Sequence, residues 1–484
     1  MNNELIKLID ELRTMPSETE WCEFKLNHQT PEKIGEYISA LANSACLHQR
    51  SEAYLVFGIE NETHRVAGTK FDPRKTKGKG AEDLEPWLHR NLKPTIEFKI
   101  QEIQHPDGKI VIFFIQPALL GPVKFLEKAW IRIGNSKKLL TEFPEKEAII
   151  WERRTPFEEK LAKENVSESD VFDLLDFDQY FRLAGETRPK NQAGIIEKLL
   201  QEGFLSKKKG KLNITNLGAI LLAQNLQNFS RPQNKGIRII SYRGINRLDA
   251  IKDVTFQRGY AVGFENIIHY IQSQIPEPEK IEGILRSTKS IYPPNAIREF
   301  VANALVHQDF LITGSTPLIE IFENRIEISN PGRALIPTDR FIDHPPKSRN
   351  EKLSDMLRRM KICEKRGSGV DRAIFAIEVS QLPPPNIENQ ENDAVRITIY
   401  SQKELSKLTK DEQCRACYFH SCIQHVINQD GLTNASLCKR LGIEDKNKAI
   451  ASRIIKRTIE KKWIKEFDPD NKSNRYKKYL PYWA

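Results

Sequence analysis

The sequence predicts an α+β protein of several domains, and three observations carry that prediction. The chain has 484 residues, more than one hydrophobic core usually holds, since single cores stop growing at roughly 250–300 residues. Runs of buried-strand character alternate along it with stretches of helical periodicity. The charge is uneven: basic residues exceed acidic ones by 10 overall, and the segment from 401 to 484 alone has 18 Lys and Arg against 10 Asp and Glu. That basic end predicts a polyanion as partner, nucleic acid rather than a membrane.

The composition, 39% apolar and 29% charged, is that of a globular protein in water. No apolar run reaches the roughly 18 residues that span a bilayer. Seven cysteines in no framework spacing predict reduced thiols and a cytoplasmic protein. The first residues, "MNNELIKLIDELRTM", form an amphipathic helix with Leu5, Leu8, Ile9 and Leu12 on one side. Its acids and its lack of a small-residue cleavage site are unlike a signal peptide.

The elements of residues 1–155 read as α+β. Ile34, Ile38, Leu41 and Ala45 at helical spacing predict a helix from about 31 to 47. "AYLVFGIEN" (53–61), "IVIFFIQPA" (110–118) and "AWIRIGN" (129–135) predict strands, with the basic loop "DPRKTKGKG" between them. Residues 156–290 read as a mostly helical connecting region, in which "GIIEKLLQEGFLSKKKGKLNITNLGAILLA" has the pattern of half a small winged unit. A further α/β block, 291–400, opens with "YPPNAIREFVANALVHQDF", where paired prolines precede a helix. The strands "PLIEIFE" and "RIEISNPG" follow, then "EKRGSGVDRAIFAIE", a glycine turn entering a helix. The last region is 405–484.

In "SETEWCEFKLN" (17–27) the strand period of two puts Glu23 and Lys25 on one face, with Glu18 at the strand entrance and Glu20 turned to solvent. Glu60 follows the next strand. By spacing alone this is a solvated turn or a metal site. Close carboxylates repel unless a cation sits between them, and three of them suit Mg²⁺ or Mn²⁺. The order "E-x4-E-F-K", a helix ending "SALANS", "YLVFGIEN" and "WIRIGNS" resembles the Schlafen-type AlbA_2 domain over about the first 150 residues. That resemblance implies Glu18, Glu23 and Glu60 as metal ligands in nuclease members, with Lys25 as the accompanying base. The family often has Asp where this chain has Glu60, and other members only bind nucleic acid.

Further along, Glu299, Asn303 and His307 are each four apart and share a helix face. By spacing they are helix-surface groups, or a carboxylate and an amide able to hold water and Mg²⁺ over a triphosphate. "RGSGV" (366–370) brings glycines to a helix start, where backbone N–H groups approach phosphates. The run "YPPNAIREFVANALVHQDF … RIEISNPGR … EKRGSGVDRA" resembles a GHKL-type ATP-binding domain, an α/β sandwich found downstream of AlbA_2 in a family of predicted transcriptional regulators labelled helicase-related. It implies Glu299 as general base, Asn303 as Mg²⁺ ligand, and Asn330, Gly332, Gly367 and Gly369 near ATP. The family's Asp-x-Gly-x-Gly box is reduced here to "NPGRA". No G-x4-G-K-[ST] phosphate loop occurs in the chain, which argues against a helicase.

The C-terminal region reads as a winged helix-turn-helix. Thr433 and Asn434 cap a short helix that Gly442 ends, and a longer helix follows from about 447 to 461. Its outward residues are Lys448, Ser452, Arg453, Lys456 and Arg457, where a recognition helix meets a groove. The wing adds Lys472, Arg475, Lys477 and Lys478 for phosphates. Cys414, Cys417, His420 and Cys422 share one helix, which cannot wrap a single zinc ion, so they read as core groups.

Two functions follow as expectations. One is a divalent-metal-dependent nuclease on RNA or DNA, gated by nucleotide and suited to defence against foreign nucleic acid. The other is an ATP-responsive transcriptional regulator that binds without cutting. A homo-oligomer is a further expectation, from the dimeric habit of GHKL-type domains and winged helices.

Overall fold

The computed structural model describes residues 2–13, 19–27, 29–48, 50, 52–275, 291–345, 347–364, 369–390, 394–468 and 477–484. It divides into two compact units, Met1–Pro156 and Phe157–Ala484, and each is taken by itself here.

The first unit begins with α1 (Asn2–Arg13), β1 (Cys22–Lys25), α2 (Pro31–Leu47) and β2 (Ala53–Phe57). Thr30 caps α2 by accepting the Lys33 N–H, and Pro31 occupies the first turn, where its missing N–H costs nothing. Next come α3 (Leu84–Asn91), β3 (Leu92–Lys93), β4 (Phe98–His105) and β5 (Gly108–Ile115), then β6 (Lys124–Phe125), β7 (Lys128–Ile133), β8 (Ser136–Leu139) and α4 (Pro144–Arg153). One sheet has the order β1-β2-β5-β4, with only the β1–β2 pair parallel; the other has the order β3-β6-β7-β8.

Helix α2 packs on β7 and on β2. Its apolar stripe, Ile34, Ile38, Leu41 and Ala45, is fully buried. The "SALANS" end of α2 does different work. Ser39 donates to the Val123 carbonyl (2.7 Å), and Asn43 donates to Val123 and Trp130 carbonyls (2.9 and 2.8 Å) while accepting the Val123 N–H (2.7 Å). Ser44 accepts the Arg132 N–H (3.1 Å). These buried side chains thus satisfy backbone groups of the β6–β7 hairpin that would otherwise be costly to bury.

The second unit opens with β9 (Leu161–Val166), α5 (Glu168–Leu174), α6 (Phe177–Ala184) and α7 (Gln192–Gln201), then β10 (Leu205–Lys208), β11 (Lys211–Thr215) and α8 (Asn216–Leu222). The three strands form an antiparallel sheet in the order β10-β11-β9. Then come β12 (Ile237–Tyr242), β13 (Ala250–Phe256), α9 (Tyr260–Gln274), α10 (Pro294–His307), β14 (Leu318–Ile321) and β15 (Arg325–Pro331). They are followed by α11 (Glu351–Arg359), α12 (Gly369–Val379), β16 (Asn386–Gln390) and β17 (Ala394–Tyr400). These strands build one mixed sheet, ordered β13-β12-β14-β15-β17-β16, with β12 and β14 parallel.

Residues 156–290 therefore differ from the mostly helical connection expected of them. They hold a small sheet of their own, and β12 and β13 complete the large sheet, so the α/β layer starts well before residue 291. The reason is non-local: β12 becomes a strand by pairing with β14, some 80 residues later, a partner that local periodicity does not reveal. The chain ends with α13 (Lys410–Val426), α14 (Asn434–Leu441), α15 (Ala449–Glu460) and the β18 (Ile464–Glu466)–β19 (Tyr479–Pro481) pair. An isolated bridge between Leu432 and Tyr479 ties the entry of α14 to that pair, and three helices followed by the pair have the order of a winged helix-turn-helix. Cys414, Cys417 and Cys422 are buried in it as core groups.

Candidate nucleotide cleft and nucleic-acid interfaces

In the first unit the described carboxylates Glu23 and Glu60 are each held by other side chains. Glu18 lies outside the described residues. Glu23, only 3% exposed, is ion-paired with Lys25 on its own strand and with the fully buried Arg132 of β7. Lys25 also lies over the Tyr37 ring, at 5.1 Å. Glu60 accepts from the Thr63 hydroxyl (2.5 Å) and from Arg65 (2.9 Å), and both hold its carboxyl below the ordinary value. Glu20, expected to face solvent, instead accepts from the Gly134 N–H (2.8 Å) and meets His48 Nε2 (2.6 Å). Partial burial opposes its charge, but these partners outweigh burial and lower its pKa. It clamps the end of α2 to the β7–β8 turn. Among the described residues no three His, Cys, Asp or Glu side chains stand close enough to share a metal ion. Lys25 and Arg132 stand against Glu23 and Arg65 against Glu60, so these two described carboxylates do not by themselves make a Mg²⁺ or Mn²⁺ site.

The second unit contains a cleft of about 640 Å³ between α10, β15, α11 and the start of α12. Glu299, Asn303, Asn330 and Gly369, four of the residues expected near a nucleotide, line it together with His307. Asn303 donates through Nδ2 to Glu299 Oε1 (3.1 Å). Burial raises the Glu299 carboxyl pKa, against the pull of that amide. Burial likewise pushes His307 down to about 4, with Arg349 adding to the effect. At Gly369 a Cβ would fall 1.8 Å from Glu299 Oε1, so a larger residue there displaces that side chain. Gly332, at φ +100°, packs against Asp309 and is not part of the cleft wall. Gly367 lies outside the described residues.

Sequence reasoning missed the cations of this cleft. Arg333, Lys347 and Arg358, from the segment after β15 and from α11, line it beside His344 and the acids Glu351, Asp355 and Glu364. Their spacing follows no motif, so only the fold gathers them. The residues fit a magnesium nucleotide. Asn303 spends its amide nitrogen on Glu299, leaving its carbonyl oxygen, an atom type Mg²⁺ accepts. The α12 N-terminus and the cations suit phosphate oxygens.

In the C-terminal region Lys448, Ser452, Arg453 and Lys456 are exposed on or beside α15. Arg457 is half-buried and donates to Gln413 (2.8 Å), so it belongs to the packing of α15 on α13. Lys477 pairs with Glu466 (2.9 Å) and Lys478 with Asp430 (2.6 Å), which leaves less of their charge for phosphates than expected. Lys472 and Arg475 lie outside the described residues. Lys448 is itself paired with Asp445 (3.1 Å).

Residues 18–141 match the family model described as "Schlafen, AlbA_2". Residues 314–399 match the one described as "Putative ATP-dependent DNA helicase recG C-terminal". The chain thus carries a Schlafen-type AlbA_2 domain followed by an ATPase-like domain of that second kind, the class of nucleic-acid-binding, ATP-associated protein those domains suggest. Glu299 and Asn303 precede the second match, so their assignment rests on the cleft itself. No curated protein matches the chain. Among solved structures it is similar to the crystal structure of the DIP2311 protein from Corynebacterium diphtheriae, with TM-score 0.42 and 14% identity over 94% of this chain and 92% of that one. It is also similar to the solution structure of the N-terminal domain of a RecG-related protein from Nitrosomonas europaea, with TM-score 0.18 and 20% identity over 23% of this chain and 72% of that one. Among the described residues no helix is long and apolar enough to cross a membrane.

Proposed function

We propose that the protein binds a nucleoside triphosphate, ATP first among them, and binds nucleic acid under that nucleotide's control. The observation that carries this reading is the pairing of Glu299 with Asn303 in a cleft walled by the start of α12 and lined by Arg333, Lys347 and Arg358. Mg²⁺ held by Asn303 would offset charge on the phosphate oxygens. Arg333, Lys347 and Arg358 orient the phosphates, and Glu299, a stronger base for its burial, accepts a proton from water. Nucleic acid meets Ser452, Arg453 and Lys456 of the C-terminal winged helix.

Calorimetric titration of ATP into the full chain tests this, with and without Mg²⁺. The wild type is expected to bind, Asn303→Ala to lose the Mg²⁺-dependent part, and Glu299→Gln to bind without hydrolysis. Absence of nucleotide binding in the wild type would sink the proposal.

Cleavage by the first unit is a second reading, supported by the contact of Glu23 with Lys25 on β1, the pair that the Schlafen resemblance implies. Incubating labelled tRNA, single-stranded RNA and duplex DNA with Mn²⁺ or Mg²⁺ separates the two. Glu60→Ala is the better control variant, because Glu23→Ala removes a buried carboxylate that Arg132 and Lys25 both contact and so disturbs the fold as well as the site. Metal-dependent cleavage lost in Glu60→Ala would make the protein a nuclease; binding without cleavage leaves a nucleotide-controlled binder.

A further inference from the structure

We infer that residues 161–215 form a second nucleic-acid-binding winged helix, separate from the C-terminal one, that takes duplex DNA with α7 in the major groove and the β10–β11 hairpin on the phosphates. The topology is the first ground. A strand, three helices and a two-stranded hairpin follow in sequence, and the first strand pairs with the second strand of the hairpin, in the order β10-β11-β9. The three helices close on a core of Val171, Leu175, Tyr180, Phe181, Ile195 and Leu199. That places α7 as the third helix, the one such units present to a groove.

The hairpin is the second ground. Its tip is a two-residue turn, Lys209-Gly210, with φ of 49° and 80°, the left-handed pair that a tight hairpin needs. Lys207, Lys208, Lys209 and Lys211 are all exposed, and none has an ion-pair partner among the described residues. Lys208 stands directly opposite Lys211 in the ladder. Like charges opposite one another destabilise a hairpin, so this placement weakens the free protein and is relieved by an anion laid along the wing. The C-terminal wing differs, since Lys477 and Lys478 are already paired with acids.

The exposed face of α7 is the third ground. Gln192, Ala193, Glu197 and Gln201 face solvent, with Lys190 just before them. Gln can pair with adenine, Glu can accept from cytosine, and the Ala methyl suits a thymine methyl. The major groove of B-form DNA admits a helix, whereas that of A-form RNA does not. The acids that flank α7, Glu186 and Glu202, are paired with Lys198 and Arg359.

The inference rests on the proposed function only for the class of ligand. Its test measures binding of labelled duplex DNA and duplex RNA to the full chain over a range of salt. One variant carries Lys207→Ala, Lys208→Ala and Lys209→Ala; another carries Arg453→Ala and Lys456→Ala. The wing variant is expected to bind duplex DNA at least about tenfold more weakly, with a salt slope lower by about 3 for three lost phosphate contacts. Its melting temperature should not fall. Wild-type affinity in the wing variant, with a loss in the C-terminal variant, overturns the inference and leaves the proposed function standing. Wild-type protein that binds duplex RNA but not DNA overturns the DNA assignment, and failure to bind either overturns both readings.

Discussion

Gly369 and Glu299 show how narrowly single residues define the cleft. A methyl group at 369 would occupy the space of the Glu299 carboxylate, and that side chain, the more flexible partner, must move aside. Gly369→Ala is therefore expected to weaken ATP binding at least about tenfold, one to two kcal/mol of misplaced contacts, while leaving the circular dichroism spectrum unchanged. Asp371, two residues on, gives a pH signature. It is 8% exposed and its Oδ1 finds no donor among the described residues. Burial pushes its pKa from 3.8 up to about 6, with Asp343 adding to the rise. The folded state thus holds this proton more tightly than the unfolded one, so stability falls as pH rises from 3.8 through about 6. Asp371→Asn should melt like wild type near pH 3.5 and at a higher temperature at pH 7.5; equal melting at both would show the carboxyl to be better solvated.

At the scale of elements, α2 is a template for the hairpin beside it. Asn43 alone makes three buried hydrogen bonds to Val123 and Trp130. Asn43→Ala takes this partner from the Val123 N–H and the Trp130 carbonyl, while the Val123 carbonyl keeps Ser39, and should cost about 2–3 kcal/mol. Hydrogen exchange should rise first in β6 and β7, and uniform exchange across the unit would contradict that. Elements of this kind were legible in the sequence where local pattern decides them. The helix expected from 31 to 47 is α2, the strand runs at 53, 110 and 129 overlap β2, β5 and β7, and the helix at 447–461 contains α15. Strand β4 was not legible, because it is an edge strand of mixed polarity in which only Phe98, Ile103 and His105 are buried. Site residues divide the same way. Glu299 and Asn303 are one turn apart on a single helix, and a sequence displays that. Arg132 opposite Glu23 is more than a hundred residues distant, and the cleft cations come from separate segments, so neither appears until the chain is folded.

Across the second unit, the nucleotide cleft and the C-terminal winged helix share a rod. The N-terminus of α12 lines the cleft, and near its other end Glu378 is buried against His420 of α13 (3.1 Å) and Arg440 of α14 (3.5 Å). The loop after β15 joins them again, since Tyr418 donates to the Asp339 carbonyl and Tyr482 to its carboxylate, both at 2.7 Å, while Phe341 and His344 of the same loop line the cleft. Glu378→Gln leaves the Arg440 charge without its buried counterpart. The variant is expected to retain ATP binding and lose most of the change that ATP makes in DNA affinity, measured by anisotropy with and without nucleotide. An unchanged nucleotide effect would place the coupling elsewhere. Thermodynamics then fixes one further quantity without any new contact. If filling the cleft multiplies the affinity of the winged helix for DNA by some factor, DNA must multiply the affinity of the cleft for nucleotide by the same factor. Bound DNA would thereby act as an effector of the cleft, and a copy on DNA would hold ATP at concentrations where a free copy has let it go.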